Sequence, residues 1–159
     1  MAIDRDDLRR VMGHFVTGVT VVTTCDGDGR CYGFTANAVC SVSLVPPLVL
    51  VCVDKGADSH PALARSRAFV VNILGEAQEG LSRRFAVSGG EKFAGISYRT
   101  GATGAPVLDG GLAHVECRVV AAHEGGDHMI YVGEVESAGA TSGHPLLFYC
   151  GCYHQLDKR

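Results

Sequence analysis

The chain lacks tryptophan, has only five prolines among its 159 residues, and carries no excess of positive charge. Its 14 basic residues against 17 acidic ones disfavour a nucleic-acid or anionic-membrane surface. The longest strongly apolar run, residues 45–53, is interrupted by two prolines and is too short to span a membrane. The N-terminus lacks the apolar core of a secretory signal. We therefore expect a cytoplasmic protein that binds neither nucleic acid nor membranes.

Several common catalytic and metal-binding patterns are also missing. No Gly-Lys-Ser/Thr phosphate loop, Gly-x-Ser-x-Gly elbow or His-Glu-x-x-His pair occurs. Asp26 and Asp28 resemble the start of a calcium loop, but Asn37 stands where such a loop needs its final glutamate. His123 and His128 would lie on opposite faces of a continuous strand. The sequence therefore predicts no metal site.

Cysteine, in contrast, occurs seven times, which is an odd number in a chain without a recognisable secretory signal. The only close pair, Cys150 and Cys152, lacks the two-residue spacing of a redox or zinc motif. Most of the others lie within apolar runs. We expect reduced thiols that pack as small buried hydrophobic residues.

The rest of the chain is mainly a succession of β-type segments joined by turns. Its length fits one domain over residues 1–159. Helices are predicted over residues 4–15, 59–66 (with Ser59 as N-cap) and 76–86. Strands are predicted over residues 18–24, 31–39, 48–53, 69–74, 112–122, 128–135 and 145–149, with turns at 26–29 and 124–126 and loops over 88–111. Because strands and helices do not alternate regularly, we expect a mainly β, closed or partly closed antiparallel barrel.

One stretch, residues 33–47, is dense in small hydroxyl and amide side chains. Thr35, Asn37, Ser41 and Ser43 all occupy odd positions, so a continuous extended chain would direct them to one side. They could form a wall of donors and acceptors for a polar ligand, such as one with a phosphate and a heteroaromatic edge. They could equally form a strand face that is turned to water.

The order of several short motifs resembles the short-chain flavin reductases, the reductase components of two-component flavin-dependent monooxygenases. The opening strand at residues 15–23 is similar to theirs, and residues 33–37, 41–44 and 46–49 resemble their flavin-binding segment. Further similarity covers residues 69–74, 85–86, 92–93, 126–128, 133–135, 145–149 and 153. The resemblance extends over about residues 8–156.

The resemblance implies an antiparallel split β-barrel with short flanking helices, which binds FMN or FAD and works as a homodimer. It implies that Thr35, Ala36 and Asn37 contact the isoalloxazine and ribityl parts, and that Ser41, Val42 and Ser43 continue toward the phosphate. Ser59 and Lys55 are the expected phosphate donors, and Phe85 and Ala86 end the helix beside the flavin. Arg83 and Arg84 could neutralise phosphate charge or form a solvated helix face.

The same resemblance places His128 beside the nicotinamide ring as the catalytic residue, with Tyr153 also on the nicotinamide side. The implied activity is an NAD(P)H:flavin oxidoreductase that uses NADH or NADPH and supplies reduced flavin to a partner monooxygenase. Two alternatives stay open: a protein on the same fold that keeps its flavin and acts on an organic substrate, or a non-enzymatic flavin binder. Cys150 and Cys152 stand where relatives usually carry arginine or glycine.

Overall fold

A computed structural model of the chain describes residues 3–157. It contains three α-helices, α1 (Arg5–Met12), α2 (His60–Ser66) and α3 (Glu79–Ala86), the last preceded by a 3₁₀ turn at Glu76–Gln78. The strands in chain order are β1 (Thr17–Gly18), β2 (Thr20–Cys25), β3 (Cys31–Ala36), β4 (Val39–Leu44), β5 (Pro47–Asp54), β6 (Ala68–Ile73), β7 (Tyr98–Thr100), β8 (Pro106–Leu108), β9 (Ala113–Gly125), β10 (His128–Ala140), β11 (Leu147–Tyr149) and β12 (Cys152–His154).

Seven strands form one antiparallel sheet in the order β3-β2-β6-β9-β10-β5-β4. Strands β3 and β4 are consecutive in the chain but occupy the two opposite edges of this sheet. The predicted mainly β, antiparallel architecture is confirmed, and the open sheet is compatible with a split barrel. None of the helices within residues 3–157 is long and apolar enough to cross a membrane.

Strand β2 shows why this sheet has two cores. Val21 and Val22 point to opposite faces, yet both are completely buried. Val22 packs with Phe69 and Cys117 in one apolar cluster, whereas Val21 packs with Phe85 of α3 in the other. Strand β2 is therefore covered on both faces. This explains why its sequence is a continuous β-branched run and does not alternate apolar with polar residues.

The structure corrects the prediction of one strand over residues 31–39. Strand β3 ends at Ala36, and Asn37 and Ala38 carry the chain across to β4 at the other sheet edge. A register shift also separates Ser41 from Ser43. Period-two alternation applies only within one uninterrupted strand, so residues 35–43 do not form a single polar face.

Three smaller expectations differ as well. The predicted loop over residues 88–111 contains the β7–β8 hairpin. Ser59 does occupy the N-cap position of α2, but its side chain makes no capping hydrogen bond. Cysteine burial was overestimated: Cys117 is buried, Cys40, Cys150 and Cys152 are exposed, and the remaining three are partly exposed. The six cysteines that are not buried have apolar neighbours in sequence, but they lie on edge strands, near turns or at the open cleft, where the fold does not cover them.

Candidate functional site

A cleft of about 360 Å³ opens where the end of β3 approaches the end of β5. Its walls come from five separate parts of the chain: residues 34–38, residues 52, 54 and 56–59, the end of α3 with residues 87–88, Lys92, and the start of β10. This volume lies in the range of small-molecule sites in proteins. The antiparallel pairing of β10 with β5, which places His128 opposite Asp54, brings the last of these walls to the cleft.

Hydroxyl groups attach the end of β3 to its neighbours. Thr35 Oγ1 donates a hydrogen bond to the carbonyl of Ser82 in α3 at 2.6 Å. Thr20 Oγ1 donates to the carbonyl of Ala36 at 2.7 Å. Both threonine hydroxyls therefore donate their proton within the protein. Toward a ligand, the Thr35 hydroxyl can act only as a hydrogen-bond acceptor.

Two side chains in the cleft are suited to an anionic ligand. Ser59 Oγ is buried, and it has no hydrogen-bond partner among residues 3–157. Lys92 reaches the carbonyl of Gly33 at 3.2 Å, and burial lowers the pKa of its ammonium group while the nearby Asp58 carboxylate opposes that change. A bound phosphate would give the serine hydroxyl its missing partner and the ammonium a counter-ion.

Asp58 connects two walls of the cleft. Its Oδ2 accepts a hydrogen bond from the backbone N–H of Gly89 at 2.7 Å, so the loop after β5 is bound to the loop after α3. This contact fixes the width of the opening beside Ser59. The Asp58 carboxylate would repel a phosphate, whereas the Lys92 ammonium would attract one.

His128 lies at the cleft with a definite orientation. Its Nδ1 is 2.7 Å from Oδ1 of Asp127, and the hydrogen bond and charge of the imidazole hold the pKa of that carboxyl below its usual range. If Nδ1 carries the proton that Asp127 accepts, Nε2 is available to a ligand. The backbone N–H of Lys55 donates to the carbonyl of Asp127 at 3.0 Å, which holds this corner of β10 on β5.

The cleft brings together seven of the site residues expected from the sequence: Thr35, Ala36, Asn37, Ser59, Phe85, Ala86 and His128. The other five lie elsewhere. Ser41 is on edge strand β4 and lines a different, mostly apolar cavity together with Phe15 and Val49. Neighbouring Val42 and Ser43 line neither cavity.

Lys55 and Tyr153 also lie away from the cleft lining. The Lys55 ammonium is bound to Glu124 Oε2 at 2.6 Å and to the carbonyl of Gly126 at 2.9 Å. Tyr153 shares a hydrogen bond of 2.8 Å with Ser82, and its ring lies beneath Arg83. Both side chains have partners within the protein.

Sequence reasoning did not select Lys92 or Asp58 as site residues, although both line the cleft. Lys92 lies in a glycine-rich segment that predicts only loop, and no spacing signal connects it to Ser59. Arg84, a candidate phosphate contact, donates to the carbonyl of Glu91 at 3.0 Å. Arg84 thereby holds the loop that carries Lys92.

Comparison with known proteins decides the family. Residues 12–157 match the flavin reductase like domain. The chain belongs to this family. It is 44% identical over 157 residues to a flavin-dependent monooxygenase reductase subunit, HsaB, of Rhodococcus jostii (strain RHA1), with 98% of this chain and 80% of the relative covered. The predicted enzyme class, an oxidoreductase that reduces flavin, is confirmed.

Solved structures of flavin reductases share the fold. Nitrilotriacetate monooxygenase component B from Mycobacterium thermoresistibile has a TM-score of 0.92 at 42% identity, covering 97% of this chain and 87% of that one. The NADH:FAD oxidoreductase SgcE6 of Streptomyces globisporus, in complex with NAD and FAD fragments, has a TM-score of 0.91 at 40% identity, covering 99% and 97%. This flavin reductase therefore has the same fold as these two solved structures.

The cleft fits a flavin phosphate by its own chemistry. Ser59 offers an unpartnered buried hydroxyl, Lys92 offers a positive charge, and residues 35–37 offer polar groups in the same cleft. A tricyclic ring needs an apolar wall as well, and Phe34, Ala36 and Ala57 supply one. These are the groups of this flavin reductase that would hold FMN or the FMN half of FAD.

Proposed function

We propose that this flavin reductase transfers hydride from NADH or NADPH to FMN or FAD in the cleft between residues 34–38 and His128. The flavin accepts the hydride at N5 from nicotinamide C4 and takes up a proton, which gives NAD(P)⁺ and reduced flavin. The observation that carries this proposal is the buried, unpartnered hydroxyl of Ser59 in a cleft that Lys92 and His128 also line. We also propose that the enzyme works in the cytoplasm, where reduced nicotinamide is available.

The residues of the cleft divide into two roles. Ser59 donates a hydrogen bond to the flavin phosphate and Lys92 neutralises it, while Thr35, Ala36 and Asn37 position the ring and ribityl chain. His128, oriented by Asp127, uses Nε2 to hold the nicotinamide nucleotide against the flavin. The protein contributes orientation more than acid–base chemistry, since close stacking of the two rings is the main requirement for hydride transfer.

The reduced flavin is proposed to leave and serve a separate monooxygenase component. The names of the relatives support this role, since HsaB is named as the reductase subunit of a flavin-dependent monooxygenase. A wide cleft, and not an enclosed cavity, also suits a flavin that must exchange in each catalytic cycle. Micromolar affinity, about −8 kcal/mol, would permit such exchange.

Steady-state oxidation of NADH and of NADPH, each with added FMN, FAD or riboflavin, tests the proposal. We expect a rate of NAD(P)H oxidation that rises with the concentration of free flavin and then saturates. Riboflavin should be the poorest acceptor, because it lacks the phosphate that Ser59 and Lys92 bind. Tightly retained flavin with turnover of an organic substrate would support the alternative enzyme on the same fold. Flavin binding without NAD(P)H oxidation would contradict both proposals.

We further propose that the chain forms a homodimer through the apolar surface beside β4. Leu44 and Val45 at the β4–β5 turn are 84% and 92% exposed, and Phe15 is 71% exposed. Helix α1 contributes no buried residue, so the apolar side chains of Leu8 and Met12 are also open to water. Exposed large apolar residues such as these favour burial against another protein surface, and β4 presents an unpaired sheet edge.

Analytical ultracentrifugation of the wild type and of Leu44→Glu tests this assembly. A wild-type dimer that dissociates in the variant is expected, because burying an unpaired carboxylate at the interface is unfavourable. Arg118→Glu, on the exposed side of β9, is the control and should leave the dimer intact. A monomeric wild type at micromolar concentration would refute the assembly without affecting the assignment of the cleft.

A further inference from the structure

The two cysteines of the β2–β3 hairpin lie directly opposite each other. Cys25 pairs with Cys31 in the antiparallel register, immediately before the turn. The next pair outward is hydrogen-bonded, since the N–H of Asp26 donates to the carbonyl of Arg30 at 3.0 Å. Antiparallel pairs alternate between hydrogen-bonded and non-hydrogen-bonded types, so Cys25 and Cys31 occupy the type whose side chains approach most closely.

The side chains follow this backbone geometry. The two Sγ atoms are 2.7 Å apart, and either thiol can donate to the other. In non-hydrogen-bonded pairs the Cα atoms are about 4.5 Å apart, which lies within the range that a disulfide bridges. A bond between these sulfur atoms, about 2.05 Å long, therefore requires only a small further approach of the two side chains.

Both thiols can be reached from solvent. Each residue is only partly buried. Cys31 lines a cavity of about 410 Å³ that adjoins the flavin cleft and shares Asp58, Ser59 and Lys92 with it. Cys25 lines a separate cavity near the hairpin turn. A small oxidant thus has access to the pair from two sides.

The two cysteines differ in their surroundings. Burial, together with the hydrogen bond to Cys31, raises the pKa of the Cys25 thiol to about 12. Cys25 therefore remains protonated at neutral pH, and Cys31, which lines the cavity beside the flavin cleft, is placed to meet an oxidant formed there first.

We propose that Cys25 and Cys31 are a redox-active pair, which hydrogen peroxide converts to a cross-strand disulfide. The Cys31 thiolate attacks one oxygen of the peroxide, the O–O bond breaks, and Cys31 becomes a sulfenic acid as hydroxide leaves. The Cys25 sulfur then attacks the Cys31 sulfur, so that the S–S bond forms and water leaves with the Cys25 proton. In total the two thiols lose two electrons and two protons, and one peroxide becomes two waters.

The activity of the protein itself supplies a source of this oxidant. Reduced flavin that is not captured by an oxygenase reacts with dioxygen to give oxidised flavin and hydrogen peroxide. This source rests on the proposed release of reduced flavin. The pair lies close to where that flavin is formed: Tyr98, whose hydroxyl is 3.8 Å from Cys31 Sγ, packs on Phe93, and Phe93 packs on Phe85 at the cleft.

Peptide mapping of the full-length protein tests the pair without any need for flavin. Reduced protein is treated with equimolar hydrogen peroxide, alkylated and digested with trypsin, which separates the two cysteines by cleaving after Arg30. The expected product is residues 11–30 joined to residues 31–55 through Cys25 and Cys31, which fragmentation distinguishes from Cys40 and Cys52. Thiol titration should find two fewer free thiols than the seven of the reduced chain.

Single variants assign the roles. Cys31→Ser should abolish the linked peptide, whereas Cys25→Ser should leave a sulfenic acid on Cys31 that dimedone traps. Cys150→Ser, which removes an exposed thiol elsewhere, should form the linked peptide as the wild type does. Absence of the link in the wild type, or a link that persists in Cys31→Ser, would overturn the proposal.

A second arm replaces added peroxide with NADH, FMN and air. The same linked peptide is expected, and catalase should prevent it. If added peroxide forms the link and turnover does not, the released flavin is not the source of the oxidant and that part of the proposal fails. If NADH is not consumed at all, the failure lies with the proposed function and not with the cysteine pair.

Discussion

A β-carbon at Gly33 would lie 2.7 Å from the ring of Phe85. The ring is almost completely buried, and it packs edge-on against Phe93 at a centroid distance of 5.1 Å. Glycine at this position therefore lets α3 pack directly against β3, and the same contact sets the distance between two walls of the flavin cleft.

Gly33→Ala is expected to destabilise the protein by about 1–3 kcal/mol, because the added methyl group forces the aromatic core apart. Urea unfolding monitored by circular dichroism measures the change. Gly80→Ala is the matched control: it lies in α3 with nothing within contact distance of its added methyl group, so the free energy of unfolding should stay equal or rise by about 0.5–1 kcal/mol. Equal effects of the two substitutions would argue against the packing role of Gly33.

Lys92→Met is expected to weaken FMN binding by about 1.5–3 kcal/mol, through loss of a charged hydrogen-bond donor to the phosphate. Fluorescence titration with FMN and with riboflavin measures the change. The loss should be confined to FMN, since riboflavin has no phosphate. Lys55→Met removes an equal charge outside the cleft and should leave both affinities unchanged. A similar loss for riboflavin would mean that Lys92 acts on the ring or on the fold instead.

His128→Ala is expected to raise the KM for NADH and slow its oxidation, while FMN binding changes by less than about twofold. Asp127→Asn should reproduce a weaker form of this effect, because its side chain orients the imidazole without touching the nicotinamide. Stopped-flow measurement of flavin reduction separates nucleotide binding from hydride transfer. Loss of flavin affinity in the alanine variant would reassign His128 to the flavin.

Arg99→Ala is expected to lower the free energy of unfolding by about 1–3 kcal/mol, because it strands a buried carboxylate. Glu116 is only 1% exposed, with Arg99 Nη2 at 3.6 Å and the N–H of Thr103 at 3.3 Å. Adding Glu116→Gln to the variant should restore part of the loss. The exposed pair Arg118–Glu136 is the control, and Arg118→Ala should change stability by less than about 1 kcal/mol.

Cys117 predicts a loss of stability at alkaline pH. Burial, with the nearby carboxylates of Glu116 and Glu136, raises the pKa of this thiol from its ordinary 9.0 to about 12. Above the ordinary value the unfolded chain releases the proton and the folded chain keeps it, so the folded state loses up to ~1.4 kcal/mol per pH unit. Urea unfolding between pH 8 and pH 11 should show a smaller slope for Cys117→Ala. The exposed Cys150→Ala should keep the wild-type slope.

The strands of the central sheet were largely predictable, because β-branched runs such as Val70 and Val71 are apolar enough to identify buried strands wherever they pair. The crossing at Asn37 was not. Its sequence continues the alternation of β3, and nothing local shows that the next residues pair with the opposite sheet edge. Only the long-range partners of Val39, which lie in β5, decide that the strand has ended.

Site residues divide in the same way. His128 and Ser59 could be selected from their motifs, whereas Lys92 depends on the path of a loop held by Arg84 and Asp58. The Cys25–Cys31 contact was within reach of the sequence, since both cysteines lie beside the predicted hairpin turn, with five residues between them. The sequence predicts only that these thiols pack as small hydrophobic residues.

The position of β3 and β4 on opposite edges has a kinetic consequence. The β2–β3 and β4–β5 hairpins involve neighbours in sequence and can form early, but β5 pairs on its other side with β10, which is synthesised much later. Non-local pairing of this kind slows folding, into the millisecond-to-second range for sheet proteins. A nascent chain that has not yet produced β10 lacks His128 and one wall of the cleft, so capture of flavin must follow completion of the sheet.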